Sequence, residues 1–388
     1  MADWDVPLSD VRFTTDEVEA VADVYRSGWL SQGPRVAAFE AALAEHLSCR
    51  HAVALASGTA ALQLICAAID LGPGDEVVLP SLTFAATAAA VVHAGAEPVF
   101  ADIAGTAEPW LSPAAAERVI GPRTRAIINV AYGGHPGQVV ALRELADAHG
   151  LTLIEDAAHA LGARLGGRAV GTIGHAAAFS FFANKNLPLG EGGMAVTDND
   201  ELASRMRLLR SHGLSTDTWI RHTGRELDYE VLEPGFNFRL DEARAALGSL
   251  LLRRLEHDNV LRAEHAHRYL DALEAVEGVS PALPRDAPGA GRTTAGAQNA
   301  WHIFPLLLDP RIDRRRFRDH LAAAKVQTSI HYPPLHLTRA FAGSGPSSLP
   351  TTEDYTDRTV TIPLFPHMTE AQQVRVLEQV DDAARRLR

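Results

Sequence analysis

The chain has 388 residues, with 48 acidic against 36 basic side chains, a formal charge of −12 and only two cysteines. A composition of 46% hydrophobic and 22% charged residues is that of a globular protein and excludes intrinsic disorder. So acidic a surface repels phosphate backbones, which argues against nucleic acid as the main partner. The few cysteines, the lack of an apolar run of roughly 18 residues and the lack of a signal-peptide pattern predict a cytoplasmic protein without a membrane partner.

Before residue 250, short β-rich apolar runs alternate with longer helical patterns. This alternation is typical of βαβ crossovers and predicts an α/β fold with a mainly parallel sheet between helices. The predicted strands are His51–Leu55, Glu76–Leu79, Glu97–Phe100, Ala126–Val130, Leu151–Ile154, Ala177–Phe182 and Met194–Thr197. The predicted helices among them are Ala60–Ile69, Phe84–Ala94 and Val140–His149.

The middle of the chain is less regular. Residues 213–236 lack periodicity, and structureless segments of this length inside a compact chain are usually functional or poorly ordered. A helix is predicted to begin near Asp241 and to continue towards Leu273, with a possible bend. Pro281–Gln298 is rich in Pro, Gly, Ala and Thr and indicates a loop or a hairpin.

The last part of the chain indicates a second structural unit. A strand is predicted at Trp301–Leu308, followed by helices at Arg314–Ala324 and Glu370–Leu387. We therefore predict a large domain over residues 1–254 and a smaller C-terminal α+β domain over residues 255–388.

Ser57-Gly58-Thr59 lies between the first predicted strand and the helix that follows it. Ligands of open α/β sheets bind at such points. Glycine lets the backbone approach a ligand closely, and the free amides of a first helical turn suit a phosphate. The same residues also suit a plain helix N-cap, so this motif alone leaves both interpretations open.

Asp156 follows the apolar strand Leu151–Ile154, at the edge where a ligand crevice is expected. Its carboxylate suits a protonated ring nitrogen, a metal ion or a ribose hydroxyl, or it caps the next turn. His159 lies three residues on and fits a hydrogen-bonded partner better than a catalyst.

Lys185 follows another apolar strand and precedes Gly190, Gly192 and Gly193. A lysine in a tight, ligand-lined bend can have a lowered pKa and act as a Schiff-base nucleophile. The chain lacks the spacing of a Walker phosphate loop and the Gly-x-Gly-x-x-Gly of dinucleotide enzymes. Pyridoxal phosphate needs a phosphate cradle, an acid for its ring nitrogen and a Schiff-base lysine, and the chain supplies all three in order.

These motifs are part of a longer series that resembles the DegT/DnrJ/EryC1/StrS family of sugar aminotransferases. The resemblance covers nearly the whole chain and implies the fold of type I pyridoxal-phosphate enzymes. The quoted landmarks are Ser27-Gly-Trp-Leu-Ser-Gln-Gly-Pro34, Ser57-Gly-Thr-Ala-Ala-Leu62, Pro80-Ser-Leu-Thr-Phe84, Glu155-Asp-Ala-Ala-His159, Gly190-Glu-Gly-Gly193, Gly235-Phe-Asn-Phe-Arg-Leu-Asp241 and Ile330-His-Tyr-Pro-Pro-Leu-His336.

The resemblance implies a role for each matching residue. Lys185 would form the Schiff base with pyridoxal phosphate and later move the proton, and Asp156 would keep the ring nitrogen protonated. Asn237 would reach the phosphate from the partner subunit, so a homodimer with shared active sites is expected. The other expected cofactor-binding residues are Ser57, Gly58, Thr59 and Ser180 at the phosphate, Phe84 on the ring face and His159 beside the ring hydroxyl.

The chain departs from the family pattern in three places. Asn184 replaces the usual Ser or Thr before the lysine, and Ala131-Tyr132-Gly133-Gly134 replaces a His-Leu-Tyr-Gly stretch. The segment Pro281–Gln298 is also longer than expected. None of these departures removes a residue that the cofactor requires.

The family works on nucleotide-linked keto sugars, usually with L-glutamate as donor. Gly28-Trp-Leu-Ser-Gln-Gly-Pro34 is more similar to members that aminate C-4 than to those acting at C-3, which favours a 4-keto-6-deoxy sugar, with dTDP as the expected nucleotide. The alternatives are a C-3 aminotransferase, a pyridoxamine-phosphate-dependent sugar dehydratase and a non-catalytic regulator on the same fold. Lys185 argues against the dehydratase, in which a histidine replaces the lysine. No metal site is predicted, since His331 and His336 lack a suitably spaced carboxylate.

Overall fold

The computed structural model describes residues 4–216, 218–224, 228–285 and 296–388. Its helices are α1 (Thr15–Ser27), α2 (Pro34–Leu47), α3 (Gly58–Ala68), α4 (Ala85–His93), α5 (Pro113–Val119), α6 (Val139–His149), α7 (Asp200–Arg210), α8 (Thr218–His222), α9 (Glu242–Leu273), α10 (Arg314–Ala323), α11 (Pro350–Arg358) and α12 (Glu370–Leu387). Its strands are β1 (His51–Leu55), β2 (Glu76–Pro80), β3 (Glu97–Ala101), β4 (Ile103–Gly105), β5 (Glu108–Leu111), β6 (Thr124–Val130), β7 (Thr152–Asp156), β8 (Arg164–Leu165), β9 (Arg168–Ala169), β10 (Ala176–Ser180), β11 (Gly193–Thr197), β12 (Val279–Pro281), β13 (Ala297–Gln298), β14 (Phe304–Leu308) and β15 (Thr359–Ile362).

A seven-stranded sheet in the order β1-β11-β10-β7-β6-β2-β3 forms the centre of the molecule. The pairs from β10 through β7, β6 and β2 to β3 are parallel, and β11 runs antiparallel to both of its neighbours. The predicted α/β class with a mainly parallel sheet is therefore confirmed. Almost every residue of these strands is buried, as in sheets that helices cover on both faces.

The strand directions bring distant parts of the chain to one edge of this sheet. Since β11 is antiparallel to both β1 and β10, those two strands run the same way, together with β7. Their carboxyl ends therefore meet at a single edge. Ser57 follows the end of β1, Asp156 ends β7 and Ser180 ends β10.

Local signals in the sequence fix where several helices begin. Thr14 and Glu17 form a capping box at α1, and Pro34 occupies the first turn of α2, where its missing amide hydrogen is not needed. The carboxylate of Asp241 accepts a hydrogen bond from the amide of Arg244 and so caps α9.

A second unit contains the antiparallel sheet β12-β14-β15. Its apolar core includes Leu306 and Leu308 of β14, Phe317 of α10 and Val376 and Val380 of α12, all fully buried. Helix α9 joins this unit to the large sheet as one uninterrupted helix. Its buried residues up to Leu255 pack in the core beside the large sheet, and those from Ala266 onwards pack in the second core.

The domain boundary predicted at residues 254 and 255 falls inside α9 and stays a prediction. Most predicted strands and helices agree with the structure to within one or two residues. Residues 213–236 contain the five-residue helix α8, and positions 217 and 225–227 of that segment lie outside the described residues.

One prediction in the C-terminal half needs correction. The predicted strand Trp301–Leu308 begins only at Phe304, because Trp301 has a φ of 47° and the amides of Ala300 and His302 bond to the turn at Gly133 and Gly134 instead of to a strand. The strands that flank the predicted loop or hairpin at Pro281–Gln298 do not pair with each other: β12 pairs with β14, and β13 pairs with β8. Residues 286–295 between them lie outside the described residues.

In the part of the chain that the structure describes, every helix is too short or too polar to cross a bilayer.

Candidate active site

A cavity of about 390 Å³ lies where β1, β7 and β10 end. Of the predicted cofactor-binding residues, only Asn237 does not line it. Those that do are Ser57, Gly58, Thr59, Phe84, Asp156, His159, Ser180 and Lys185. The sequence therefore predicted which parts of the chain meet here. The cavity is also lined by Leu62, Thr83, Ala86, Val130, Ala158, Phe182, Asn184, Glu191, His331 and Tyr332.

The first turn of α3 forms one wall of the cavity. The hydroxyl of Ser57 accepts a hydrogen bond from the amide of Ala60 at 3.0 Å, so Ser57 is the N-cap, as one of the two interpretations predicted. The amides of Gly58 and Thr59 have no hydrogen-bond partner among the described residues. They point outward from the positive end of the helix, which suits an anion such as a phosphate.

Gly58 is required by the close approach of Ser180. A Cβ at position 58 would lie 2.8 Å from the Cβ of Ser180, which is shorter than real side chains allow. The glycine thus leaves a space bounded by its own amide, the amide of Thr59 and the hydroxyl of Ser180. That hydroxyl accepts only a long hydrogen bond, 3.4 Å, from the amide of Phe182.

Asp156 ends β7 with its side chain almost fully enclosed, at 6% exposure. One carboxylate oxygen accepts from the hydroxyl of Thr87 at 2.7 Å, and the other from the amide of Ala158 at 3.2 Å. Thr87 has a single hydroxyl hydrogen, so Thr83, 2.7 Å away, donates to Thr87. Burial raises the pKa of Asp156, and the two hydrogen bonds and the charge of Lys185 partly offset that rise.

Lys185 lines the same cavity as this carboxylate and interacts with it electrostatically. Loss of hydration lowers the pKa of its amine to about 8, against the opposing effect of the Asp156 charge. About one tenth of the amine is therefore unprotonated at pH 7, far more than for an ordinary lysine. An amine in this state can act as a nucleophile and as a base.

His159 is held as a neutral ring. The amide of Gly133 donates to its Nδ1 at 3.3 Å, so its hydrogen is on Nε2, which donates to the hydroxyl of Tyr332 at 2.9 Å. Burial lowers the pKa of His159 well below its usual value, and the charge of Lys185 adds to this. Its ring centre lies 4.3 Å from that of His302, a second buried imidazole.

Two aromatic residues stand at the mouth of the cavity. Phe84, the residue before α4, keeps 58% of its surface exposed, and its ring centre lies 5.7 Å from that of Tyr332. The exposed ring face of Phe84 is available to a flat ligand. His331 beside Tyr332 bonds to the hydroxyl of Thr361 at 2.8 Å, and burial lowers its pKa to about 4.

Asn237 is the one predicted residue that the fold does not bring to the cavity. It is exposed and forms an isolated bridge with Ser211. Its predicted role from a partner subunit stays a prediction.

The positions where the chain departs from the family pattern also lie at the site. Asn184 lines the cavity, and its buried Oδ1 has no hydrogen-bond partner in the described part of the chain. Gly134 has a φ of 99°, and a Cβ there would lie 3.0 Å from the backbone nitrogen of Trp301. The two glycines of the replaced stretch thus allow residues 299–302 to pack against this turn, and the first of them, Gly133, gives its amide to His159.

Sequence reasoning did not single out Thr83, Thr87 or His302. Thr83 and Thr87 are four residues apart at a predicted helix start, a spacing that puts both on one face of the helix. No sequence pattern links them to Asp156. Among the described residues, no group of three or more His, Cys, Asp or Glu could hold a metal ion.

The sequence pattern of the DegT/DnrJ/EryC1/StrS aminotransferase family matches residues 12–381. The spore coat polysaccharide biosynthesis protein SpsC of Bacillus subtilis (strain 168) is 37% identical over 385 residues, covering 97% of this chain and 96% of that protein. DesV of S. venezuelae, solved in complex with a ketimine intermediate, is 38% identical with a TM-score of 0.88 over 99% of both chains. The aminotransferase TlmJ of Streptoalloteichus hindustanus is 34% identical with a TM-score of 0.91, covering 99% of this chain and 100% of that one.

The aminotransferases of this family use pyridoxal phosphate, and the cavity offers an amine, a buried carboxylate and an anion cradle that suit that cofactor. The fold matches those of the solved relatives over nearly their full length, which confirms the type I architecture. The chain therefore belongs to the DegT/DnrJ/EryC1/StrS family and is a sugar aminotransferase dependent on pyridoxal phosphate.

Proposed function

We propose that the enzyme transfers the amino group of L-glutamate to a nucleotide-linked 4-keto-6-deoxy sugar, with dTDP as the nucleotide, and forms a 4-amino sugar nucleotide. The two substrates would react in turn, in a ping-pong sequence. The observation that carries the proposal is the cavity that Lys185, with a pKa of about 8, and the buried carboxylate of Asp156 line together with an open anion cradle.

The residues present fit pyridoxal phosphate. The cradle bounded by Gly58, Thr59 and Ser180 is closed to a side chain by the Gly58–Ser180 approach but is open to phosphate oxygens. Phe84 offers a ring face and His159 a hydrogen-bonding edge. When bound, the cofactor supplies an electron-poor ring that stabilises negative charge on the adjacent carbon.

Asp156 would hold a proton on the ring nitrogen. Its own environment is divided: burial favours the neutral acid, whereas Thr87 and the amide of Ala158 favour the carboxylate. A positive partner at the ring nitrogen would complete the stabilisation of the carboxylate. The Thr83–Thr87 chain fixes the direction of that carboxylate before any ligand arrives.

Lys185 would anchor the cofactor and then act as the base. When it is no longer bonded to the cofactor, its Nζ would take the proton from the carbon that carries the donor's amino group. It would then give that proton to the cofactor carbon that is bonded to the same nitrogen. A pKa of about 8 lets the same amine accept and give up a proton near neutral pH.

We also propose that the active site is completed in a homodimer, with Asn237 reaching the phosphate of the partner subunit's site. The exposure of Asn237 and its position outside its own cavity support this arrangement. The C-4 preference is supported by the resemblance of Gly28–Pro34 to the same segment of family members that aminate C-4.

The test is an assay of the purified enzyme with ¹⁵N-labelled L-glutamate and a panel of dTDP- and UDP-linked 3-keto and 4-keto sugars. Mass spectrometry should find ¹⁵N in a 4-amino product from the dTDP-linked 4-keto sugar. Label only in 3-amino products would overturn the C-4 proposal, and label only with UDP sugars would overturn dTDP. Absence of label with every sugar, despite conversion of glutamate to 2-oxoglutarate, would overturn the nucleotide-sugar acceptor.

A further inference from the structure

A second cleft lies on the small unit, between α10 and the N-terminal segment. It encloses about 500 Å³, a volume within the range of small-molecule sites. Its walls carry one aromatic side chain and three arginines. The lining residues are Trp4, Arg314, Arg315, Arg318, Asp319, Ala322, Gln327, Thr328 and Ile330.

The arginines of this cleft are unusual in their position. Arg314, Arg315 and Arg318 lie in the first turns of α10, where the helix dipole disfavours positive charge. Arg314 and Arg318 are also four residues apart, a spacing that brings like charges together on one helix face. Neither local effect stabilises the helix, so the cluster calls for another explanation.

Nearby carboxylates balance the charge of these guanidinium groups only in part. Among the described residues, none of the three forms an ion pair within 4.0 Å, whereas Arg311, just before the helix, pairs with Asp309 at 2.8 Å. Asp319 is the one acidic side chain in the cleft wall. Burial lowers the pKa of Arg314, the charge of Asp357 opposes that shift, and the nearby charge of Arg318 adds to it.

Two of the arginines are held in place by the protein. Arg314 donates to the carbonyl of Thr356, and the Nε of Arg318 donates to the hydroxyl of Thr328 at 3.2 Å. Each keeps further N–H groups for a ligand, because a guanidinium has five. An anion would thus meet a site whose donors need little reordering.

The carboxylate of Asp313 caps the helix by accepting from the amide of Arg316 at 2.8 Å. The charged donors of the cleft wall are the arginine side chains, which bind phosphate groups through paired N–H donors.

Trp4 adds an aromatic surface to the cleft. It is half-buried, and within the described residues its ring stacks on no other ring. An indole beside a guanidinium cluster suits a ligand that joins a flat ring to a multiply charged anion.

We propose that this cleft is a second ligand site, separate from the amino-transfer cavity, and that it binds a nucleoside diphosphate. The arginines would hold the diphosphate and Trp4 would stack on the base. The site lies on the same segment as the catalytic cavity, since Ile330 lines the cleft and His331 lines the cavity. A bound nucleotide would therefore fix the backbone that carries His331 and Tyr332.

The experiment is hydrogen–deuterium exchange of the holoenzyme with and without thymidine diphosphate, followed in peptides covering residues 4–8 and 314–330. Exchange is measured peptide by peptide. Nucleotide bound at the catalytic cavity would therefore be recognised because it protects peptides other than these two. We expect protection of both peptides, weakening as salt is raised because guanidinium–phosphate attraction is screened.

The neighbouring exposed arginines provide a matched pair of variants. Arg315 lines the cleft and Arg316 does not, so Arg315→Glu and Arg316→Glu change the overall charge equally on the same turn. We expect Arg315→Glu to raise the nucleotide concentration needed for half-protection by about tenfold or more, and Arg316→Glu to change it by less than about twofold. Equal losses in both variants would reduce the effect to general attraction by a basic helix and would overturn the site.

The aromatic half of the proposal has its own test. Trp4→Ala should weaken protection by thymidine diphosphate but leave that by inorganic pyrophosphate unchanged. Equal protection by the two probes in the unaltered enzyme would overturn base stacking. Absence of protection with both probes would overturn the site as a whole and leave the amino-transfer proposal untouched.

Discussion

Asp156 and Lys185 are the two charges on which the chemistry of the cavity depends, and the protein treats them in opposite ways. Burial raises the pKa of the acid and lowers that of the amine, so each is moved towards its neutral form. Perturbed pKa values of groups that line one cleft mark a candidate active site. The Thr83–Thr87 chain is the part of this arrangement that favours the carboxylate.

Thr87→Val should therefore impair the enzyme without altering its fold. The variant keeps the shape of the side chain but removes the donor to Asp156, and a hydrogen bond to a charged group is worth about 1.5–3 kcal/mol. We expect kcat/KM to fall by roughly 10- to 100-fold, with Thr87→Ser, which keeps the hydroxyl, close to the unaltered enzyme. Equal activity of the Val and Ser variants in steady-state assays would show that the hydroxyl does not support the carboxylate.

The lowered pKa of Lys185 also predicts a stability effect in the cofactor-free protein. Below pH 8 the native state holds an ammonium group in a poorly hydrated position, so Lys185→Met should raise the melting temperature at pH 7. Between about pH 8 and 10.5 the unfolded chain binds the proton that the native amine has lost, so the unaltered protein gains stability as the pH rises.

The difference in melting temperature between the two proteins should accordingly shrink from pH 7 to pH 9.5, as followed by circular dichroism. A difference that grows over this range, or a variant that melts lower at pH 7, would contradict the assigned pKa.

At the level of single residues, the sequence predicted the positions of both charges because each follows an apolar strand. It did not predict Thr87, whose contact with Asp156 joins residues 69 positions apart. Nor did it predict that His302 lies against His159, because that contact depends on the positive φ of Trp301. Such contacts are determined by three-dimensional packing, which local sequence patterns do not report.

Among the secondary-structure elements, the strands whose carboxyl ends meet at one edge of the large sheet matter most for the position of the cavity. The order of apolar strands and glycine-rich turns was sufficient to predict β1, β7 and β10, and hence the edge at which the cavity lies. The short helix α8 was not expected, and the strand after residue 301 begins three residues late. The second difference lies where long-range hydrogen bonds from Ala300 and His302 to the turn at Gly133 and Gly134, not periodicity, determine the backbone.

The start of α3 gives a prediction at this scale. Gly58→Ala should favour the helix by its own propensity, but its Cβ would press on Ser180 and narrow the anion cradle. We expect the dissociation constant of pyridoxal phosphate to rise at least about tenfold in an absorbance titration. The control is Gly72→Ala, because a Cβ there meets no atom within 4 Å. Unchanged affinity of the Gly58→Ala variant for pyridoxal phosphate would show that the cradle accommodates the added methyl group.

For the whole molecule, the position of Asn237 is the feature that a single chain does not explain. It is exposed, does not line its own cavity, and lies on the segment that follows the irregular region. The family resemblance predicted that it serves a second subunit, and the fold provides no competing role in its own site. The junction of the two units within α9 likewise emerged only from the structure, since an uninterrupted helix gives no boundary signal in the sequence.

Mixed dimers test this shared site. Lys185→Ala and Asn237→Asp subunits should each form weakly active dimers, the second because a carboxylate repels the cofactor phosphate. In a mixed dimer with shared sites, both lesions fall in one site and the other is intact, so each mixed dimer should have up to about half of the activity of a normal dimer. Activity that stays at the level of the parent dimers would place both residues in the same subunit's site.

The most direct test of the account is the identity of the residue that holds the cofactor. The enzyme would be incubated with pyridoxal phosphate, reduced with borohydride, digested and mapped by mass spectrometry. The account predicts a pyridoxyl group on Lys185, absent from Lys185→Ala and lost from the native enzyme when L-glutamate is added before reduction. A pyridoxyl group confined to another lysine would contradict it.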